Sequence, residues 1–243
     1  MKERLSEHES LPVWVRHEHM ARFVFAATFV RGKTVVDCAC GEGLGTAIFA
    51  EAGALRIHAF DSSPEAVEAA RTRVSSSAVT CDVADGIRLP LADSSVVVFV
   101  SLETIEHIAD DQVFLEEVRR VLEPDGVFIC STPNRAVTNP GTSLADKPWN
   151  PFHVREYDES EFFGRLEPLF AHVERYGQNP VRPARVRLME SLSRVLPRHG
   201  AVRLNQLLKA PRFLIDRPER HAVAPHDANR AYEYLVAVCR TPR

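Results

Sequence analysis

At 243 residues, with 45% apolar and 26% charged side chains, the chain can build a sizeable core; it is long for one average domain and short for two. A net charge of −3 excludes a general electrostatic affinity for nucleic acid or an anionic membrane surface. The longest apolar runs, Phe23–Val30 and Val96–Val100, are too short to span a bilayer, and the polar stretch Met1–Ser10 lacks the apolar centre of a secretory signal, so a cytoplasmic location is expected.

From the N-terminus, Pro12 to Val30 predicts a helix, with Val13, Met20, Phe23, Val24 and Ala27 near helical spacing. Alternation follows. Lys33–Cys38 is a short β-branched run that predicts a buried strand, then a glycine-rich turn leads to a helix over about Gly45–Ala52. Leu55–Phe60 is a second strand, and Ser62, Ser63 and Pro64 start a helix that runs to about Val74. Ala78–Cys81 and Val96–Leu102 are the third and fourth strands; Asp110–Leu122 is a helix closed by Pro124-Asp125-Gly126, and Val127–Ser131 is the fifth strand. Ala171–Tyr176 and Tyr232–Arg240 add two more. Strands alternating with helices at this spacing predict an α/β fold, a Rossmann-like, seven-stranded, mainly parallel sheet with helices on both faces. One domain spans 1–243: a helical segment over 1–31, the core over 32–177, a basic helical insert over 178–230 and the last strand over 231–243. The five cysteines are scattered and mostly lie in apolar stretches, and Cys38 and Cys40 have no second pair to complete a four-ligand metal site, so reduced, buried thiols are expected.

In such sheets ligands bind outside the carboxyl ends of the strands, where strand order reverses. The first strand ends in Asp37-Cys38-Ala39-Cys40-Gly41-Glu42-Gly43-Leu44-Gly45. Glycines there let backbone pass close to a ligand. Their Gly-x-Gly-x-Gly spacing differs from the Gly-x-Gly-x-x-Gly of dinucleotide sites, and no Gly-Lys-Ser/Thr is present. Asp61, 20 positions after Gly41, ends the second strand, where a carboxylate accepts both hydroxyls of a ribose. Asp82 follows the third strand, where an acid meets an adenine amine and the adjacent Val83 N–H a ring nitrogen. Asp37 lies where a carboxylate meets an ammonium. Any one aspartate at a strand end is commonly a cap; three at successive ends are hard to explain that way.

Val35-Val36-Asp37-Cys38-Ala39-Cys40-Gly41-Glu42-Gly43 resembles motif I of class I S-adenosylmethionine methyltransferases. Phe60-Asp61-Ser62-Ser63-Pro64 is similar to motif II of that family, and Cys81-Asp82 with Leu89-Pro90-Leu91 to its third-strand region. Val121-Leu122-Glu123-Pro124-Asp125-Gly126 resembles its Leu-x-Pro-Gly-Gly turn, with Asp125 in place of the usual first glycine. The resemblance covers Gly32 to Gly177. It implies S-adenosylmethionine as cofactor, with Asp37, Gly41 and Gly43 at the methionine part, Asp61 and Ser62 at the ribose, Asp82 and Val83 at the adenine, and Ser101 or Leu102 beside the sulfonium.

After the fourth strand, Glu103, Glu106 and His107 would share one face of a helical turn, and two carboxylates beside an imidazole repel unless a proton or cation sits among them. His153, after the fifth strand, approaches the same rim. Often in this family a Glu-His here merely caps the next helix. Glu-x-x-Glu-His with a later histidine is nevertheless similar to the metal site of plant small-RNA 2′-O-methyltransferases, and partly to ubiquinone-pathway O-methyltransferases. That resemblance implies Mg²⁺ or a similar divalent ion on Glu103, Glu106, His107 and His153. Without a metal, His107 or His153 is the expected general base.

Between Arg182 and Arg230, eleven basic residues face four acidic ones. A solvated face paired to the acidic body is the plainer reading, and recognition of an anionic acceptor such as a nucleotide sugar the functional one. Phe213 is the sole aromatic residue there before Tyr232, which argues against base stacking and hence against nucleic acid. Thr132-Pro133-Asn134 and Phe152–Tyr157 resemble bacterial methyltransferases of glycan or glycosylated natural-product assembly, implying transfer to the hydroxyl of a sugar or other small-molecule acceptor. Alternatives are N- or C-methylation of a metabolite, 2′-O-methylation of RNA, and a non-catalytic binding module; a nicotinamide dehydrogenase lacks its loop.

Overall fold

A computed structural model describes residues 12–196, 200, 204 and 221–242. Seven helices and eight strands are formed among these, α1 Val13–Ala27, β1 Thr34–Cys38, α2 Leu44–Glu51, β2 Arg56–Asp61, α3 Pro64–Arg73, β3 Val79–Val83, β4 Val96–Leu102, α4 Asp111–Val121, β5 Leu122–Pro133, α5 Arg135–Thr138, α6 Glu159–Leu166, β6 Phe170–Val181, α7 Pro183–Ser193, β7 Ala224–Pro225 and β8 Ala231–Pro242. The strands form one sheet in the order β3-β2-β1-β4-β5-β8-β6-β7. β1 to β5 run parallel, and β8 enters antiparallel between β5 and β6. Strand order reverses between β1 and β4, so a crevice opens at the carboxyl ends of these two strands.

Both faces of the sheet are covered, as expected for parallel strands. Alternate residues of β1 show it: Val36 packs with Phe99, Phe114, Phe128 and Phe163 on one face, Val35 with Phe49, Ile57 and Val98 on the other. The α3 start follows its sequence signals: Pro64 is its first residue, and Ser63 Oγ accepts from Ala66 N–H at 3.3 Å.

Three expectations need correction. The sheet has eight strands rather than seven: the two residues of β7, within the segment read as helical, pair with Tyr176 and Gly177 of β6. Second, β6 continues to Val181, so the pattern breaks at Arg182 rather than Gln178. Third, α1 buries only part of the stripe its apolar spacing suggests, Phe23 and Ala27 packing on the core. Val13 and Val24 are exposed, whereas Glu18 and Arg22 are buried against Gln178, Asn179 and Tyr234 of the last two long strands. Tertiary hydrogen bonds outweigh apolar periodicity here. Of the basic insert, Arg198, Arg203, Lys209, Arg212, Arg217 and Arg220, with Phe213, lie outside the described residues. No helix among those described is long and apolar enough to cross a membrane.

Candidate active site

The turn after β1 needs glycine at one place in particular. Gly43 sits at φ +80°, just before α2, and a Cβ on it would meet the α3 backbone at Ala70 Cα within 2.9 Å. The loop from Ala39 to Glu42 therefore runs hard against α3 and beneath a cleft of about 1120 Å³. Two non-glycine residues facing that cleft, Ala39 and Glu103, hold positive φ of 61° and 53°. Such strain is typical of functional sites.

The cleft brings together Gly41, Asp61, Ser62, Leu102, Glu103, Glu106, His107 and His153. Asp61 organises its floor: Oδ2 accepts from Gly41 N–H at 3.0 Å and Oδ1 from Ser63 N–H at 2.9 Å. Asp37, Gly43 and Ser101 are not on the cleft wall; Asp37 is 3% exposed beneath it and Ser101 is buried. Asp82 and Val83 are exposed and do not line it, and Asp82 pairs with Arg71 at 3.3 Å. Ala84–Ile87 line it instead, because β3 continues to Val83 rather than ending at Cys81. Asp85 and Glu42 are the acids missed in the sequence; the Asp85-Gly86 pair was a turn signal that marks such a loop.

Burial pushes the Asp37 carboxyl up to about 6, helped by the nearby Asp61 and opposed by the Thr46 hydroxyl, which donates to it at 2.6 Å. Its folded pKa thus exceeds the unfolded value of 3.8, so the folded state retains a proton that the unfolded state has lost. Stability from this group is present at pH 4 and lost as pH rises to about 6 and beyond, a cost of about 3 kcal/mol. Asp37→Asn keeps an acceptor for Thr46. Melting curves of wild type and variant without ligand should diverge from pH 4 to about 7, the variant becoming the more stable; a constant difference would refute the ionisation.

At the other end of the cleft, a single 3₁₀ turn, Ile105–His107, follows β4. Glu103 precedes the turn in left-handed conformation, so it does not share a face with Glu106 and His107. Its Oε1 accepts from Ser131 Oγ at 2.6 Å and lies 3.8 Å from Arg22 Nε. Ligand atoms of Glu106, His107 and His153 do converge, all within 4.8 Å of one another, without Glu103. Glu106 is 1% exposed; Oε2 accepts from Thr132 Oγ1 at 3.0 Å, while Oε1 has no hydrogen-bond partner. Burial, with Glu103 nearby, holds its pKa well above the usual carboxylate range.

His153 reaches this cluster because Val154 N–H and Arg155 N–H both donate to the Glu106 carbonyl, at 2.8 and 3.3 Å. The surrounding partners set both tautomers. Phe152 N–H donates to Asn150 Oδ1, which turns the Asn150 amide NH₂ to His153 Nε2 at 3.0 Å. His153 Nδ1–H then donates to Glu156 at 2.8 Å. His107 Nδ1–H donates to the Phe152 carbonyl at 3.0 Å, leaving the ring lone pair on Nε2. Burial works against the Glu156 carboxylate, but hydrogen bonds from His153, Thr138 and Asn139 outweigh it and hold its pKa low. In the sequence Thr132 and Glu156 stand only inside longer motifs, with no link to the histidines, since only the fold brings them here.

Residues 36–130 match the methyltransferase domain family. A protein of Mycolicibacterium smegmatis named "probable S-adenosylmethionine-dependent methyltransferase" is 39% identical over 145 residues, 59% of this chain and 53% of that protein. A ubiquinone biosynthesis O-methyltransferase of Cereibacter sphaeroides is 30% identical over 121 residues, 49% of each chain. The chain thus spans about half the length of the relatives it matches. Among solved structures, an S-adenosylmethionine-dependent methyltransferase from Mesorhizobium loti superimposes with TM-score 0.59 at 17% identity, over 92% of this chain and 97% of the other. Sheet order and these likenesses agree on the fold: the chain has a Rossmann-like α/β fold shared with solved methyltransferases, and its residues 36–130 are similar to the methyltransferase domain family.

Proposed function

We propose that the chain is an S-adenosylmethionine-dependent methyltransferase acting on a hydroxyl of a sugar or other small-molecule acceptor. The observation that carries this reading is one continuous cleft that joins the Gly41–Asp61 floor to the Glu106–His107–His153 cluster. The cofactor fits the floor: Gly41 has open space where a Cβ would stand, and Asp61 faces the cleft. Asp61 takes the ribose, the Ala84–Ile87 segment the adenine, and the turn after β1 the methionine part. When bound, S-adenosylmethionine supplies a methyl group on a good leaving group, so the chain must align the acceptor and remove its proton.

Without a metal, His107 is the proton acceptor in this reading. The Phe152 carbonyl fixes the Nδ1–H tautomer and points the basic nitrogen, Nε2, away from the backbone. The Asn150–His153–Glu156 chain acts as a brace that holds the 150–156 segment against the turn. Similarity to an O-methyltransferase of ubiquinone biosynthesis supports oxygen as the atom methylated.

A divalent metal belongs to the same reading. Partnerless Oε1 of buried Glu106, with His107 Nε2 and with His153 Nε2 once the Asn150 amide turns from it, is a donor set that a cation would complete. One carboxylate with two histidines suits a first-row transition ion better than Mg²⁺, which prefers oxygen. The ion would hold a hydroxyl and lower its pKa.

Calorimetry with S-adenosylhomocysteine tests the cofactor, and binding is expected. Radiolabelled transfer to a neutral-sugar and phenol panel, before and after EDTA with metal add-back, tests the chemistry: transfer is expected to fall on chelation and return with metal. Full activity after chelation removes the metal and leaves His107 as a metal-free base.

A further inference from the structure

The cleft is lopsided in charge. Seven carboxylates line it, and among the described residues no lysine or arginine does. The acids at the β1 and β2 ends suit a cofactor that carries a sulfonium and an ammonium. They do not account for the other end, formed by the segments 102–110 and 149–156, where Glu103, Glu106, Asp110 and Glu156 also face inward. There Glu103 has Arg22 at 3.8 Å and Glu156 has His153 at 2.8 Å. Arg22 is spent on Glu103, and His153 meets Glu156 as a neutral imidazole, so this end keeps a negative balance and no side-chain cation among the described residues is left for a ligand. The buried Oε1 of Glu106 has no donor at all.

The rest of the lining is uncharged: Tyr234, Trp149 and Phe152 contribute rings, and Asn139 and Asn150 amides that also hold Glu156, His153 and the Phe152 N–H. Of the arginines offered by the sequence for phosphate, those described, Arg182, Arg185, Arg187, Arg194 and Arg230, do not line the cleft.

We infer that the portion of the acceptor entering this cleft is an uncharged, hydroxyl-bearing ring, and that phosphorylated or carboxylated counterparts are rejected. An anion would sit among carboxylates with no guanidinium or ammonium among the described residues to answer it, and like charges brought together at a contact cost several-fold to many-fold in affinity. Apolar ring faces with a few amide groups instead match the alternating apolar and hydroxyl surface of a sugar ring or a phenol. This rests on the methyltransferase reading for the identity of the second ligand.

Matched probes test it. With S-adenosylhomocysteine saturating the protein, binding of methyl glucoside, glucosamine, glucuronate and glucose 6-phosphate is measured by ligand-observed NMR. Catechol, dopamine and 3,4-dihydroxybenzoate form a second series, and both are repeated with Mg²⁺ or Mn²⁺ and with EDTA. The uncharged member of at least one series is expected to bind more than about tenfold more tightly than its anions. Phe152→Lys, which puts a cation at the cleft wall, should recover binding of the anions. An anion that binds as well as its neutral partner overturns the inference, as does a tenfold preference for the amines or binding by no uncharged member. If S-adenosylhomocysteine itself fails to bind, the cofactor reading falls instead.

Discussion

Replacing His107 by asparagine is expected to lower methyl transfer by about 10²–10⁴-fold, the usual contribution of a positioned general base. Asparagine is a narrow probe. Its amide can still donate to the Phe152 carbonyl, the bond that ties the turn after β4 to the 150–156 segment. It cannot supply a second nitrogen at the position of Nε2. Folding and affinity for S-adenosylhomocysteine should therefore stay close to wild type, with the loss confined to turnover. Raising the pH should recover part of the rate, since a more alkaline solvent replaces the missing base. Glu103→Gln is the informative companion. Were Glu103 a ligand of the same cluster, both variants would lose metal response together. Glu103 is turned instead to Ser131 and Arg22, so its variant should keep the metal response while His107→Asn loses it. Turnover of His107→Asn within about threefold of wild type would remove the histidine from the chemistry.

Much of this architecture is written in local signals. β1, β2 and the α3 start carry their own evidence in β-branched runs, a glycine turn and a Ser-Pro cap, and each forms close to its expected place. Where expectation failed, a distant partner decided the outcome. β7 is two residues long and has no pattern of its own; it exists because β6 offers it an edge. Glu18 and Arg22 are buried because partners more than 150 residues later meet them: Asn179 donates to Glu18, Gln178 accepts from Arg22 and the Tyr234 ring stacks on Arg22. Apolar periodicity, which assumes that buried means apolar, cannot see such a face. Glu103 shows a subtler failure. Its spacing to Glu106 and His107 fits a helical turn, but a positive φ at Glu103 breaks the geometry that spacing presumes. The shift from Asp82 to Asp85 has the same origin: two more residues of β3 pair with β2, Asp82 with Phe60 and Val83 with Asp61, and the loop starts later.

Asp61→Asn should be nearly as damaging as Asp61→Ala, against the usual expectation for so conservative a change. Both carboxylate oxygens accept from backbone, one from Gly41 N–H and the other from Ser63 N–H. An amide has only one acceptor oxygen, so Asn must turn an NH₂ group towards one of those donors. Either Gly41 or Ser63 is then repelled from its place, and with it the turn after β1 or the cap of α3. In the proposed complex the same carboxylate also receives the ribose hydroxyls. Hydrogen bonds to a charged group are worth about 1.5–3 kcal/mol each, so losing two of them weakens S-adenosylhomocysteine binding by about 10³-fold. Glutamate at this position keeps both acceptors and the charge but adds a methylene, so its loss should be smaller where the loop can shift to meet it. Calorimetry on the three variants, with melting temperatures of the unliganded proteins, separates the effects. A variant whose fold is weakened but whose ligand affinity is intact would confine Asp61 to shaping the loop. Binding by Asp61→Ala as tight as wild type would show that neither oxygen is needed, and the ribose contact would have to be sought on Glu42 or Asp85, the other acids facing that part of the cleft.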